Sequence, residues 1–377
     1  MYPRLLTPPR RSFFLFGPRG VGKTVWTRER FPGALVFDLL DHGTYAELLA
    51  APQRLGERIP PDHRDWVVVD EVQRVPELLN EVHRLIESRK IRFVLTGSSA
   101  RRLRRRGVNL LAGRALTLSL HPLTAGELGD DFDRGRALRY GCLPLACTEE
   151  DPAPYLRSYA TTYLREEVQQ EGFSRNIGGF SRFLEAASFS QGSVLNVAAV
   201  ARECSVGVKA VHDYFSILED LLLGVRVPAF TRRAKRRTVL HPKFYFFDAG
   251  VYRAIRPRGP LDPVEAIHGP ALETLLLQNL RAVNDYKDLG YGIHYWRTPT
   301  GDEVDFVLYG ERGLHAFEVK MSSTVRDEDL RGLLRFRADY PEARAHLLHL
   351  GTRRGHDRGV EVTPFREGVA DLGKWLA

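Results

Sequence analysis

Four short apolar runs, Phe13–Phe16, Leu35–Phe37, Trp66–Val69 and Phe93–Leu95, punctuate the first hundred residues, and a fifth, Leu116–Leu120, follows them. Charged, helix-like segments lie between. Short buried strands alternating with helices predict a parallel α/β sheet. Pro122 ends that alternation. From Leu123 to Gln191 the apolar spacing is helical, and Tyr155–Gln170 carries aromatic and apolar residues at turn spacing. Two short helices are expected between Val194 and Leu223. The first covers Ala198–Cys204. After a turn at Ser205 and Gly207, the second carries Val208, Val211, Phe215, Leu218 and Leu222 on one stripe. A strand follows at Phe244–Phe247. From Pro263 onward the pattern predicts helix, strand, strand, strand, helix, strand.

The first strand runs into Gly17-Pro18-Arg19-Gly20-Val21-Gly22-Lys23-Thr24, a full match to G-x-x-x-x-G-K-[ST] in its required strand-to-helix setting. Its glycines let backbone N–H groups converge on phosphate oxygens at a helix N-terminus. Lys23 is expected to reach the β- and γ-phosphates of ATP, and Thr24 to place its hydroxyl on Mg²⁺. Arg19, inside the loop, is a further candidate for phosphate contact. The third apolar strand ends in Asp70-Glu71, with Asp70 suited to the Mg²⁺ shell and Glu71 to activating water. The next strand ends in Thr96-Gly97-Ser98-Ser99. Ser98 is the first choice for orienting that water and Thr96 the alternative.

Together with the phosphate loop, Asp70-Glu71-Val72-Gln73, Leu95-Thr96-Gly97-Ser98-Ser99 and Leu111-Ala112-Gly113-Arg114 resemble the prokaryotic AAA-type ATPases of the archaeal-ATPase-like group. Phe246-Phe247-Asp248-Ala249-Gly250 and Gly301-Asp302-Glu303-Val304-Asp305-Phe306 are similar to signatures of that group's C-terminal domain of unknown function. The resemblance implies an AAA-type fold and ATP hydrolysis. It also implies that Arg114, just before the fifth strand, is an arginine finger entering a neighbour's nucleotide site, hence a homo-oligomer, in the limit a hexameric ring.

The C-terminal third carries a second constellation. Glu273 lies on a helix expected over Pro270–Asn284, with a stripe of Leu272, Leu275, Leu276 and Leu280. In Glu303–Leu308 the alternation puts Val304, Phe306 and Leu308 on one face and Asp305 on the other. In Ala316–Lys320 it puts Glu318 and Lys320 together. Gly310–Gly313 is a hairpin-sized turn, so the strands should pair. An acid followed thirteen residues later by Glu-x-Lys is the PD-(D/E)XK nuclease pattern, and a helix (Arg326–Asp339) and strand (Ala345–Leu350) complete its α-β-β-β-α-β core. Such sites cleave phosphodiesters with two carboxylates on Mg²⁺ and a lysine that positions water. Asp305 and Glu318 are the expected metal ligands and Lys320 the lysine, with Glu273 supporting the metal. Val304 stands where the motif has proline, a departure that bears on cleavage rather than on fold.

Composition adds a partner. The chain has 377 residues, 43% hydrophobic and 27% charged, with ample apolar material for several cores. Its net charge is +8, and only eight of the 55 basic residues are lysine. Arginine forks match phosphate oxygens and so suit a polyanionic partner, but a chain that uses arginine wherever lysine would serve looks the same, and the distribution of charge has to choose. Arg232-Arg233-Ala234-Lys235-Arg236-Arg237 falls where a winged helix would carry its β-wing, and Lys209 stands on the outward face of the second helix with His212, Asp213 and Ser216. A further basic run spans Arg101–Arg106. Three cysteines without metal-site spacing suggest a reducing cytoplasm. No apolar run approaches the roughly 18 residues of a membrane span, and the four-residue apolar stretch near the N-terminus, flanked by basic residues, is not that of a signal peptide.

The expected architecture is therefore α/β. A P-loop AAA-type sheet domain (1–122) is followed by a helical lid or linker (123–191), a winged-helix-like domain (192–243) and a PD-(D/E)XK nuclease-like domain (244–377). The expected function is an ATP-hydrolysing DNA-binding protein of repair, recombination or defence, cleaving flexible or branched DNA with Mg²⁺. The alternative is an ATP-dependent switch whose nuclease-like domain is a non-catalytic clamp.

Overall fold

The computed structural model describes residues 2–99, 111–170, 177–232, 238–257, 259 and 263–377. The basic run Arg101–Arg106, and Arg233, Lys235, Arg236 and Arg237 of the second run, lie outside the described residues. The chain forms two compact units: residues 4–121 with 220–222, and residues 122–219 and 223–377 with the first three residues.

In the first unit, β1 (Phe13–Phe16), β2 (Leu35–Asp38), β3 (Trp66–Asp70), β4 (Arg92–Gly97) and β5 (Leu116–Ser119) make a wholly parallel sheet in the order β2-β3-β4-β1-β5. Helices cover both faces, so β1 and β3 are buried along their whole length and their sequences are continuously apolar. Phe14, Phe16, Val67 and Val69 face one core with Leu78, Val82 and Leu85 of the helix Leu78–Arg89. Phe13 faces the other way, where Phe31 and Trp66 pack with ring centroids 4.7 Å apart. The parallel order brings the carboxyl ends of β1, β4 and β3 side by side, where ligands bind in open α/β sheets.

In the second unit, the helices Val197–Glu203 and Val208–Asp220 precede an antiparallel three-stranded sheet. Its order is β6-β8-β7, from β6 (Ser193–Val194), β7 (Gly224–Val227) and β8 (Lys243–Phe246). The predicted stripe is only partly correct. Val211, Phe215 and Leu218 are buried, but Val208, in the first turn, is 49% exposed and Leu222 lies beyond the helix at φ 60°. The single helix expected over Tyr155–Gln170 is three segments: Ala153–Ser158, a π-helical turn at Tyr159–Tyr163, and Leu164–Gln170. The turn buries Tyr159 between the rings of Tyr155 and Tyr163 and against Phe247, a tertiary contact that i, i+4 spacing does not reveal.

A six-stranded sheet completes this unit. Its order is β13-β14-β12-β11-β10-β9, from β9 (Gly292–Arg297), β10 (Glu303–Gly310), β11 (Gly313–Lys320), β12 (Arg344–His349), β13 (Gly355–Asp357) and β14 (Val360–Pro364). The hairpin β13–β14 and the helix Phe365–Trp375 extend the expected six-element core. The preceding helix begins at Val264 rather than Pro270, so Pro270 is internal to it. Val304, Phe306 and Leu308 do not share a face. A register shift between Val304 and Val307 inserts one extra residue against β9. Val304 and Val307 both join the core of Trp296, Leu330 and Phe336, whereas Phe306 packs on Tyr245. Among the described residues no helix is long and apolar enough to cross a membrane.

The Phe246–Gly250 signature is a junction in this unit. Asp248 caps the helix Ala249–Ile255, accepting hydrogen bonds from Gly250 N (2.9 Å) and Val251 N (3.0 Å), and also takes the N–H of Cys142 (2.7 Å). Burial pushes its carboxyl up to about 6 against the opposing pull of those three donors.

Candidate functional site

The P-loop leaves β1 at Gly17 and enters the helix Lys23–Arg30 through Gly22, at φ 90°. Gly20, at φ 84°, shares that left-handed region, and a Cβ on Gly17 would overlap the Leu120 carbonyl. The glycines are thus required by backbone geometry and by close approach. Val21 is buried, whereas Arg19 is exposed at the mouth of the loop. Lys23 is buried, and its ammonium donates to Gly17 O (2.7 Å) and Pro18 O (3.3 Å). Thr24 Oγ1 donates to Asp70 Oδ2 at 2.9 Å, joining the loop to the end of β3.

Thr96, at the end of β4, ties the acidic pair together. Its hydroxyl donates to Asp70 Oδ1 and accepts the backbone N–H of Glu71 at 3.2 Å. Glu71 stands at φ 58°, a left-handed conformation rare for a non-glycine residue. Gln73 Nε2 donates to Glu71 Oε2 and, at 3.1 Å, to Ser98 Oγ. Thr96 therefore touches the acids directly, and Ser98 reaches Glu71 only through Gln73. Thr24 and Asp70 supply hard oxygen donors side by side, the donor set Mg²⁺ takes beside nucleotide phosphates, so the site fits MgATP. Thr96→Val, nearly isosteric, is expected to lower the ATPase kcat by about ten- to a hundredfold with a smaller change in KM. Steady-state kinetics would show this, and an unchanged kcat would remove Thr96 from the site.

The second constellation also assembles, with additions. The β10–β11 ladder ends with Phe306 paired to Phe317, and Asp305 and Glu318 follow directly at that end. Asp305 N donates to Glu318 Oε2 at 3.2 Å, Val319 N to Asp305 Oδ2 at 2.9 Å, and Lys320 Nζ to Glu318 Oε1 at 2.7 Å. Glu273 reaches the same place from its helix and accepts from the Tyr245 hydroxyl at 2.6 Å. Sequence reasoning missed two members. Lys243, only 2% exposed at the start of β8, has its Nζ 3.6 Å from Glu273 Oε2 and 3.8 Å from Asp305 Oδ1, and pairs with Glu303 Oε1. The other Glu303 oxygen is 3.4 Å from Arg297. A lone lysine inside the aromatic run 243–247 was the available signal. Burial, with the neighbouring charge of Asp305, pushes the Glu318 carboxyl up to about 8; burial takes Glu273 to about 7. Burial would lower Lys243, but Tyr245, Glu273, Asp305 and Glu303 together hold it well above the ordinary lysine value.

Residues 9–129 match the AAA domain family. The N-terminal unit is an AAA-type P-loop domain. Residues 133–262 and 268–367 match two domains of unknown function, DUF8612 and DUF4143. No curated protein matches the chain. Among solved structures, the chain is similar to the Orc1 protein of Aeropyrum pernix in complex with DNA, at 14% identity over 66% of this chain and 87% of that one, TM-score 0.30. It is also similar to protein VC1899 of Vibrio cholerae, at 12% identity over 97% of each chain, TM-score 0.23. At these scores the likenesses carry no argument about fold or function.

In the AAA-type domain, Arg114 follows the turn Leu111–Gly113 and pairs through Nε with Glu87 of the helix Leu78–Arg89, both side chains largely solvent-facing. Of the expected DNA contacts, Lys209 is exposed, and Arg232 is exposed with its guanidinium 4.9 Å above the Tyr309 ring.

Proposed function

We propose that the chain is an ATP-hydrolysing switch that binds DNA, with its nuclease-like domain serving as a non-cleaving clamp. The observation that carries the ATPase reading is the continuous set of contacts Thr24–Asp70–Thr96–Glu71, which links the P-loop to the ends of two neighbouring strands. Lys23 is poised on two loop carbonyls and turns its charge to the β- and γ-phosphates. Thr24 and Asp70 would hold Mg²⁺, which would offset negative charge on the phosphates during transfer. Glu71 takes the proton of the attacking water as its oxygen bonds to the γ-phosphorus and the bond to the β–γ bridging oxygen breaks, giving ADP and phosphate. Arg114 supplies a finger to a neighbouring copy in a homo-oligomer, up to a hexameric ring. Its exposed pairing with Glu87 is weak enough to exchange for a phosphate.

Two helices followed by an antiparallel sheet in the order β6-β8-β7 support the winged-helix reading. In the sequence, the segment Arg232–Arg237, with five cations in six residues, falls between β7 and β8, where a winged helix carries its wing. Flexible or branched DNA handled in repair, recombination or defence is the partner this suits. Neutralising Arg232, Arg233, Lys235, Arg236 and Arg237 together is expected to weaken binding of all DNA sequences alike. It should also flatten the log–log salt slope by about 0.9 for each phosphate no longer neutralised. Fluorescence anisotropy across a salt series measures this, and an unchanged slope would move the DNA surface elsewhere.

The clamp reading of the C-terminal domain is favoured by its donor set. Both carboxylate oxygens of Glu303, Asp305 and Glu318 already meet protein donors. Lys243 stands among Glu273, Glu303 and Asp305, so these carboxylates already have a cation of the chain's own, which favours a clamp over a Mg²⁺-dependent nuclease.

A further inference from the structure

We propose that Lys243 is the resident cation of the nuclease-like site. Its ammonium lies within 4 Å of Glu273 and Asp305 and pairs with Glu303, so these carboxylates take no divalent metal and the lysine locks the three-stranded sheet onto the six-stranded one. The inference rests on the clamp reading and gives it a cause.

The geometry is specific. Lys243 is the first residue of β8, the central strand of the three-stranded sheet, paired with Val227 on one side and Val194 on the other. From there its side chain crosses to the other sheet and meets carboxylates from three places: Glu273 on the helix Val264–Tyr286, Glu303 at the start of β10, and Asp305 two residues on. The Tyr295 ring of β9 lies 5.7 Å from Nζ. Mg²⁺ needs oxygen ligands at about 2.0–2.1 Å in octahedral array. A buried ammonium within 4 Å of two of the same carboxylates, and paired with a third, fills that space and repels a second cation. Charge points the same way: the four carboxylates Glu273, Glu303, Asp305 and Glu318 are faced by three cations, Lys243, Lys320 and Arg297, which offset all but one of their charges. The strand repulsion that a metal would ordinarily relieve is already relieved by the chain.

The two sheets are also stitched beside this residue. Phe230 N donates to Tyr295 O (2.7 Å), Tyr295 N to Pro228 O (3.0 Å) and Val239 N to Arg297 O (2.9 Å). Gly332 of the helix Asp327–Asp339 leaves no room for a Cβ against the Glu303 carbonyl, which fixes that strand end. Lys243 is thus held from both sides. A cation tethered in this way costs no binding step and is not lost to chelators.

The test is Mn²⁺ binding by the full chain without nucleotide, read by electron paramagnetic resonance. Wild type is expected to show no Mn²⁺ site that depends on Asp305. Lys243→Ala is expected to bind one Mn²⁺ per chain, and Lys243→Ala with Asp305→Asn to lose it again. Should Lys243→Ala fail to fold, Lys243→Met with Glu303→Gln removes one charge of each sign, leaves Glu273 and Asp305, and is expected to gain the same site. An Asp305-dependent Mn²⁺ site in wild type overturns the proposal. So does a folded Lys243 variant that binds none. DNA incubated with wild type and Mn²⁺ separates the two readings. Metal binding without cleavage overturns the resident cation alone, whereas Asp305-dependent cleavage overturns the clamp reading as well.

Discussion

Glu71→Gln is expected to bind ATP as the wild type does and to hydrolyse it about 10²–10⁴-fold more slowly. The substitution keeps the shape of the side chain, and the partners of the phosphate and metal remain: Lys23 on its two carbonyls, and Thr24 and Thr96 on Asp70. In the proposed mechanism, what disappears is the carboxylate that takes the proton of the attacking water. The backbone argues for chemistry rather than packing. A glutamate at φ 58° carries strain of about 1–3 kcal/mol, and such strain persists where surrounding contacts hold it. Here those contacts are the Thr96 hydroxyl on its N–H and the Gln73 amide on its carboxylate. Gly97 leaves room for Gln73: a Cβ there would lie 2.5 Å from the amide oxygen. Nucleotide binding by calorimetry and phosphate release would be measured side by side, with Lys23→Ala as the variant that loses binding. Wild-type turnover by Glu71→Gln would take Glu71 out of the mechanism.

Gly250→Ala is expected to cost about 3 kcal/mol or more of stability. Its Cβ would overlap the carbonyl of Tyr140 and stand 2.7 Å from the Gly141 nitrogen. All of these are backbone atoms, so no rotamer change relieves the clash. The helix Ala249–Ile255 would have to move away and carry Asp248 with it, separating that carboxylate from Cys142 N. Gly141 is constrained in turn: it sits at φ 72°, and a side chain there would overlap the Asp248 carboxylate. Each member of the junction thus depends on the other two. Urea unfolding would show the midpoint falling. Gly207→Ala, where a Cβ meets nothing within 4 Å, should stay within about 0.5 kcal/mol and serves as the control. Equal midpoints for the two variants would show that the junction yields.

The nucleotide site was legible in the sequence because its information is local. A buried parallel strand is a continuous apolar run, a P-loop needs glycine at fixed positions, and an acid at a strand's carboxyl end is visible where the run stops. Phe13–Phe16, Trp66–Asp70 and the loop between residues 17 and 24 therefore stand where periodicity and turn chemistry place them. The nearness of Asp305 to Glu318 was legible too, since a two-residue hairpin sets register by counting. What local pattern could not supply are contacts between segments far apart in the chain. Thr96 rather than Ser98 reaches Asp70 because β4 lies beside β3 in the sheet, a matter of strand order and not of either strand's sequence. The extra residue between Val304 and Val307 breaks the alternation because β9 and the helix behind it demand both valines on one face. Lys243 looked like a polar start to an aromatic strand. Only the packing of two sheets, with Glu273, Glu303 and Asp305 brought together from three places in the chain, turns it into a buried cation, because electrostatic partnership depends on distance in space and leaves no period in the sequence.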